Sequence, residues 1–339
     1  MSGAALVMLG FVLAAGIAYW LASGRGPRVL DHPNERSLHD TPTPRTGGLA
    51  IAGGILAGHG GALATGLPLA GALPVAVAGA ALFAVSLWDD VHGLPVALRM
   101  LVHVLAASTL VYAGLSLQVL ALPGVHAALA PAPAALLSVL LVVWMTNLYN
   151  FMDGMDGFAG GMGVIGFGAC ALLAWRAGDG ALALHGSFIA AACAGFLLVN
   201  FPPARIFMGD AGSSVLGFLA AAAMLEADRR GVFALWLGLL VFSPFILDAT
   251  VTLCRRAING ERIWRAHRSH FYQRLVQLGW SHRRTTLSAY ALMLACAASA
   301  LAVQHAPWPL QAATLCAWAV IYAMLMLFVT RMERARGGA

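Results

Sequence analysis

The chain alternates long apolar runs with short polar ones, and the apolar runs have the length that crosses a bilayer. They fall at about 3–23, 47–67, 69–88, 98–116, 132–149, 158–176, 182–200, 213–228, 232–252, 286–304 and 309–330. Roughly 20 apolar residues in a helix span the hydrocarbon layer. The pattern therefore predicts an all-α polytopic membrane protein of about eleven transmembrane helices. The weakest spans are the glycine-rich second run and the eighth, which closes on Glu226, Asp228, Arg229 and Arg230. The polar segments at 24–46, 89–97, 147–157, 201–212 and 253–285 fall on one face, while the alternate loops are short and poor in polar groups. No internal repeat interrupts the pattern, so residues 1–339 are read as a single integral membrane domain.

Composition agrees. The 339 residues are 60% hydrophobic and 10% charged, with mean hydropathy +0.80, against about 25% charged residues in soluble domains. All 20 basic residues are arginine, which excludes a P-loop or Schiff-base lysine. Any phosphate clamp must use arginine, histidine, backbone amides or a metal. Sixteen arginines fall in the polar segments named above or after the last run, and Arg99 lies just past the second segment on the same side; only Arg176, Arg229 and Arg230 fall on the other side. The positive-inside rule then puts the N-terminus outside and the C-terminus in the cytoplasm. The net charge of +6 forms no continuous basic surface, so nucleic acid is not the partner. The five cysteines make no CxxC pair. The first run lacks a positive segment before it and reads as a retained span rather than a signal peptide.

Five segments carry candidate chemistry. Asp89 and Asp90 close the third run, where adjacent carboxylates at a membrane surface suit a divalent cation or a solvated helix end. Asn147, Asn150 and Asp153 recur every three residues, the spacing of one helical face, before Asp153-Gly154 and Asp156-Gly157 break the helix. Their amide and carboxylate oxygens resemble hard-cation ligands, with Asp-Gly turn chemistry as the plainer reading. Asp210 precedes Ser213 and Ser214, either of which could cap the eighth span and leave its amides to a phosphate. Arg265, His267, Arg268, His270 and Arg274 cluster in the fifth segment, suiting a pyrophosphate or a lipid-facing basic anchor. The proline-rich stretch from Asp31 through Arg36 and Arg45 ends in Gly47-Gly48, which permits close backbone approach. Asp248, near the inner end of the ninth run, is either functional or paired with Arg255 or Arg256.

In this order, the five segments resemble the polyprenyl-phosphate N-acetylhexosamine-1-phosphate transferases, over about Asp31 to His270. The resemblance implies transfer of a sugar-1-phosphate from a UDP-sugar to polyprenyl phosphate, releasing UMP and starting a cell-surface glycan. It makes Asp89 and Asp90 the family's acidic pair. Asn150 and Asp210 become the contacts of Mg²⁺, with Mn²⁺ as the alternative ion. Asp153 and Asp156 match the acids of the central cytoplasmic motif. Arg45, Asn147, His267, Arg268 and His270 stand as substrate contacts. The segments PNERSLHDTPTPRTGG and HRSHFYQRL look closer to the O-antigen-initiating branch than to the murein branch. The implied setting is the bacterial inner membrane with the site facing the cytoplasm, and a homodimer is allowed. The competing readings are a flippase for a phosphorylated lipid and a CDP-alcohol phosphotransferase. The first would want polar groups near the midplane, and the second a denser acidic pattern; this chain shows neither.

Overall fold

The computed structural model describes residues 2–27, 29–31, 33, 38, 41–67, 72–262 and 267–337. Arg28, residues 34–37 and 39–40, and Arg265 lie outside them. In chain order the elements are α1 (Gly3–Ala22), β1 (Leu30–Asp31), β2 (Thr43–Pro44), α2 (Gly47–Ala64), α3 (Ala72–His92), α4 (Val96–Tyr112), β3 (Val119–Leu122), β4 (Val125–Ala128), α5 (Pro131–Phe151), α6 (Phe158–Arg176), α7 (Gly180–Asn200), α8 (Asp210–Arg229), α9 (Leu235–Val241), α10 (Ser243–Ile258), α11 (Phe271–Gln277), α12 (His282–Val303) and α13 (Trp308–Gly337).

Among the described residues, nine helices are long and apolar enough to cross a membrane. Two expected spans depart from the simple form. The ninth run breaks at Phe242 into α9 and α10, bent by 80°, and α4 has only 17 residues. Pro244, at the start of α10, lacks the N–H that would continue α9's ladder, which favours the break there. Among the described residues each of the eleven apolar runs carries a helix; nine are long enough to cross singly, and the bent pair makes a tenth. The loop between α4 and α5 carries the antiparallel hairpin β3–β4, register Val119↔Ala128 to Leu122↔Val125, which the sequence pattern did not foresee.

The helix starts follow local chemistry. Ser2, Asp179 and Ser281 each accept a first-turn N–H, from Ala5 (3.3 Å), Leu182 (2.9 Å) and Arg284 (3.2 Å). Pro131 opens α5, where its missing N–H costs nothing. α8 forms the centre of the bundle: 89% of its spanning window is buried, against 28% for α1 and 17% for α13. It packs on α5, α3 and α2. Leu56, Leu73, Tyr112, Trp175 and Phe328 are exposed, as an apolar rim facing lipid requires.

Candidate active site

Segments far apart in sequence are zipped together at one end of the bundle. Arg45 N–H donates to Val29 O (2.8 Å), Phe207 N–H to Pro44 O (2.7 Å), Gly47 N–H to Phe207 O (2.9 Å) and Gly48 N–H to Met208 O (2.7 Å). A Cβ on Gly48 would stand 2.5 Å from the backbone N of Gly212. Glycine there lets α2 touch the start of α8. Gly209 has φ +75°, and its Cβ would meet Arg45 O at 2.5 Å and Asp90 Oδ2 at 2.9 Å.

Asp89 and Asp90 both lie in the last turn of α3, which runs on to His92, and they do different work. Asp90 is 2% exposed. Its Oδ1 accepts the N–H of Asp210 and its Oδ2 the N–H of Ala211, each at 3.0 Å. The cap of α8 thus comes from another helix and not from Ser213 or Ser214. Those serines sit inside the first turn, with Ser213 Oγ donating to Gly209 O (3.1 Å). Asp89 accepts from Leu94 N–H and from Arg99 Nη1 (3.0 Å); the same Arg99 nitrogen reaches Asp210 Oδ2 (3.2 Å).

Asn147 and Asn150 share one side of α5 yet address different neighbours, because a three-residue step turns the helix about 60° short of a full circle. Asn150 Nδ2 donates to Ser213 Oγ on α8 (3.0 Å), whereas the Asn147 amide bonds to His103 on α4 (3.0 Å) and its own Val143 O (2.7 Å). Asp153, beyond the helix end, lines a cleft, and among the described residues its carboxylate has no hydrogen-bond or ion-pair partner. Burial, then the charges of Asp210, Asp90 and Asp31, push its carboxyl well above the ordinary range. Asp156 accepts from Ala204 N–H (3.0 Å) and faces His282 Nδ1 (3.4 Å). Asn200 clamps the two loops, accepting from Gly157 N–H (3.0 Å) and donating to Ile206 O (2.9 Å).

The fifth segment behaves differently from its sequence reading. Asp248 pairs with neither Arg255 nor Arg256. It accepts the N–H groups of Phe271 (2.9 Å) and Tyr272 (3.1 Å), capping α11, and contacts His270 Nδ1 (3.2 Å). His270 is buried. His267 bonds Ser269 Oγ (2.8 Å). Burial, then His270, Arg256 and Arg255, lower His267 to about 4, so its ring is neutral at pH 7. Arg268 is exposed. None of the three lines the cleft. The segment contributes instead through Gln273, which lines it, and Tyr272, whose hydroxyl donates to Phe151 O (3.4 Å) and covers Gly154.

The cleft holds about 230 Å³ and draws its walls from all five polar segments. Asp31, Asp90, Asp153, Asp156 and Asp210 face Arg45 and His282 there. Among the described residues the acids outnumber the bases in the cleft, a surface on which a cation would ease the approach of phosphate groups. The freest oxygens belong to Asp153, to Asp210 (side chain 33% exposed) and to the Asn150 carbonyl, whose amide nitrogen is already engaged. No cluster of three His, Cys, Asp or Glu that could hold a metal occurs among the described residues. One or two carboxylates with waters and substrate phosphates is the ordinary Mg²⁺ arrangement, so these residues fit that ion better than a closed protein cage.

The glycosyl transferase family 4 model matches residues 72–228, which include Asp89 through Asp210. The decaprenyl-phosphate N-acetylglucosaminephosphotransferase of Mycobacterium tuberculosis is 36% identical over 82% of this chain and 76% of its own. Its namesake in Mycolicibacterium smegmatis is 34% identical over 96% of this chain and 89% of its own. The chain belongs to glycosyl transferase family 4. Within that family it falls among the polyprenyl-phosphate N-acetylhexosamine-1-phosphate transferases. A phospho-N-acetylmuramoyl-pentapeptide-transferase of Shouchella clausii is 33% identical over 45% of this chain and 46% of its own.

Four residues of this family member's cleft region escaped the sequence reading. Arg99 was counted only as a topological charge, although Pro95, which turns the chain between α3 and α4, sets it facing Asp89. Asn200, Gln273 and His282 lack a local signal, because each reaches the cleft only through packing of helices distant in sequence.

Proposed function

We propose that this chain transfers N-acetylglucosamine-1-phosphate from its UDP ester to polyprenyl phosphate on the cytoplasmic side of a bacterial inner membrane. A lipid phosphate oxygen would form a bond to the β-phosphorus while the bond from that phosphorus to the bridging oxygen breaks, releasing UMP. The observation that carries this is the partnerless Asp153 beside Asp210, in a cleft built by all five polar segments at the helix ends. There a lipid's phosphate reaches the site while its tail stays in the bilayer. The sugar is read from the relatives: those named for N-acetylglucosamine match along most of the chain, and the murein enzyme along less than half.

Asp153 and Asp210, with the Asn150 oxygen, would hold Mg²⁺ or Mn²⁺. The ion supplies charge compensation for two anionic reactants and for departing UMP. Arg45 adds a fixed positive charge to the cleft, and His282 an imidazole. Asp90 holds the first amides of α8 and so fixes Asp210, while Arg99 ties Asp210 to Asp89. A phosphomonoester has a second pKa of about 6, so the lipid phosphate reaches the cleft largely ionised and needs no carboxylate to take its proton. Asp89 and Asp90 are therefore positioning residues in this account.

The test is transfer of radiolabelled sugar into decaprenyl and undecaprenyl phosphate. UDP-N-acetylglucosamine, UDP-N-acetylgalactosamine and the UDP-muramoyl-pentapeptide are offered in parallel, with and without EDTA. Label from the first donor alone, lost in EDTA, supports the reading. Full activity in EDTA would rule out the metal.

A further inference from the structure

α12 leaves the cleft end of the bundle at His282, and α13 returns to it over 30 residues, from Trp308 to Gly337. At 1.5 Å per residue α13 measures about 45 Å, about 15 Å more than the hydrocarbon layer. Its apolar run ends near Thr330, so roughly its last two turns stand out of the layer at the cleft end.

There α13 meets α11 through a buried cation. Arg274 is 4% exposed. Its Nε and Nη2 donate to the two carboxylate oxygens of Glu333, and Nη2 donates also to Thr330 Oγ1 (3.2 Å). Arg336 adds a second tie, from Nη1 to the carbonyl of Gln277, the last residue of α11 (3.2 Å). Arg255 stands near enough to feel both charges of the pair. Without Glu333, two guanidinium groups would repel each other, one of them buried.

Arg274 is the sequence neighbour of a residue in the cleft wall. Gln273 lines the cleft, and its Oε1 accepts the N–H of His270 (3.3 Å). Its amide nitrogen is turned towards Gly154, where an added Cβ would stand 3.4 Å from it. In a wall rich in carboxylates, a neutral N–H donor offers a phosphate or sugar oxygen a hydrogen bond without repulsion. A helix of seven residues does not hold its own place and depends on packing. Asp248 fixes the start of α11 by its first amides, and the Glu333 pair fixes the turn on which Gln273 stands.

We infer that Glu333 is a positioning residue for the transfer reaction. Through Arg274 it sets where Gln273 stands, so the end of the last helix governs a cleft that it does not line. The inference rests on the transfer reading given above. A pair that only held the fold together would act alike whether or not Gln273 is present, and this separates the two roles.

A double-mutant cycle on the full chain in phosphatidylcholine nanodiscs tests it. Glu333→Gln should lower kcat/KM for transfer about tenfold, the scale of one misplaced contact, while Glu333→Asp, which keeps the carboxylate, loses only about threefold. In a Gln273→Ala background the same Glu333→Gln change should cost less than about twofold, because the group it positions is gone. A tenfold loss in both backgrounds, or in neither, overturns the inference. Thr330→Val removes only the shared hydroxyl and serves if Glu333→Gln does not fold; its smaller loss should likewise vanish beside Gln273→Ala, and a loss that persists there overturns the inference. Hydrogen exchange gives a readout without turnover: the amides of α11 should exchange about tenfold faster in Glu333→Gln than in wild type, with those of α8 unchanged. Equal exchange in α11 overturns the inference. A wild type that transfers nothing defeats the reading of the reaction instead, and exchange still decides whether Glu333 holds α11.

Discussion

Replacing Asp153 and Asp90 by asparagine should have opposite effects on stability, and the contrast decides which acid serves the chemistry. Asp90 accepts two backbone amides at 3.0 Å in a site 2% exposed. Asparagine keeps one acceptor and turns an N–H group towards the second amide, so one buried donor loses its partner. A buried donor left unpaired costs about 1–3 kcal/mol, and Asp90→Asn should unfold earlier by that amount in a denaturant series. Asp153 has no partner to lose. Its raised carboxyl means that the folded state holds a proton that the unfolded state releases. Stability contributed by that proton is present below the ordinary aspartate value of about 3.9. It is lost as pH rises through the folded value. Asp153→Asn removes this loss, so above that range the variant should unfold no earlier than wild type. Its transfer rate should fall about 10²–10³-fold, the loss of several kcal/mol of charge stabilisation. Mg²⁺ should raise the unfolding midpoint of wild type, because it binds only the folded form, and leave Asp153→Asn unmoved. Melting curves at pH 5, 6.5 and 8, with and without Mg²⁺, read the stability and metal-binding differences, and a transfer assay reads the rate. An Asp153→Asn variant that unfolds early, beside an Asp90→Asn variant that does not, would reverse the assignment and refute the argument.

Lowering the pH should raise the Mg²⁺ concentration needed for half-maximal transfer, because protonated Asp153 must release its proton to bind the ion; a flat requirement from pH 5.5 to 8 would contradict that role. Gly48→Ala should destabilise the α2–α8 contact and lower activity together, since the added carbon meets backbone 2.5 Å away; an unfolding midpoint equal to wild type would show that the close approach is not needed. Single cysteines placed at 153 and 268 in a cysteine-free background should be shielded from an impermeant thiol reagent outside intact cells, while one at 126 reacts. Labelling at 153 from outside would reverse the topology.

The spans and the gathering of the polar loops were legible because both are written in local composition. A run of 20 apolar residues is a helix in lipid wherever it falls. The arginines mark one face, and the cleft is built there from all five segments. What each acid does was not legible. Asp89 and Asp90 are neighbours in sequence, yet one faces Arg99 and the other the amides of α8, 120 residues on. His267 and His270 read as phosphate ligands until Asp248 drew His270 inward to cap α11. The start of α8 was placed three residues late because its cap is a side chain from another helix, which no local pattern encodes. The hairpin β3–β4, of four-residue strands in an apolar loop, carries too short an alternation to be read.

Transfer of a whole sugar-1-phosphate, and not of the sugar alone, is the centre of the account. UDP-N-acetylglucosamine labelled with ³²P at the β-phosphate and ³H in the sugar, offered with polyprenyl phosphate and Mg²⁺, distinguishes the two. The account predicts both labels in the lipid fraction at the donor's ratio, with unlabelled UMP released in equal amount. Tritium in the lipid with ³²P remaining on UDP would mean glycosyl transfer, and would contradict it.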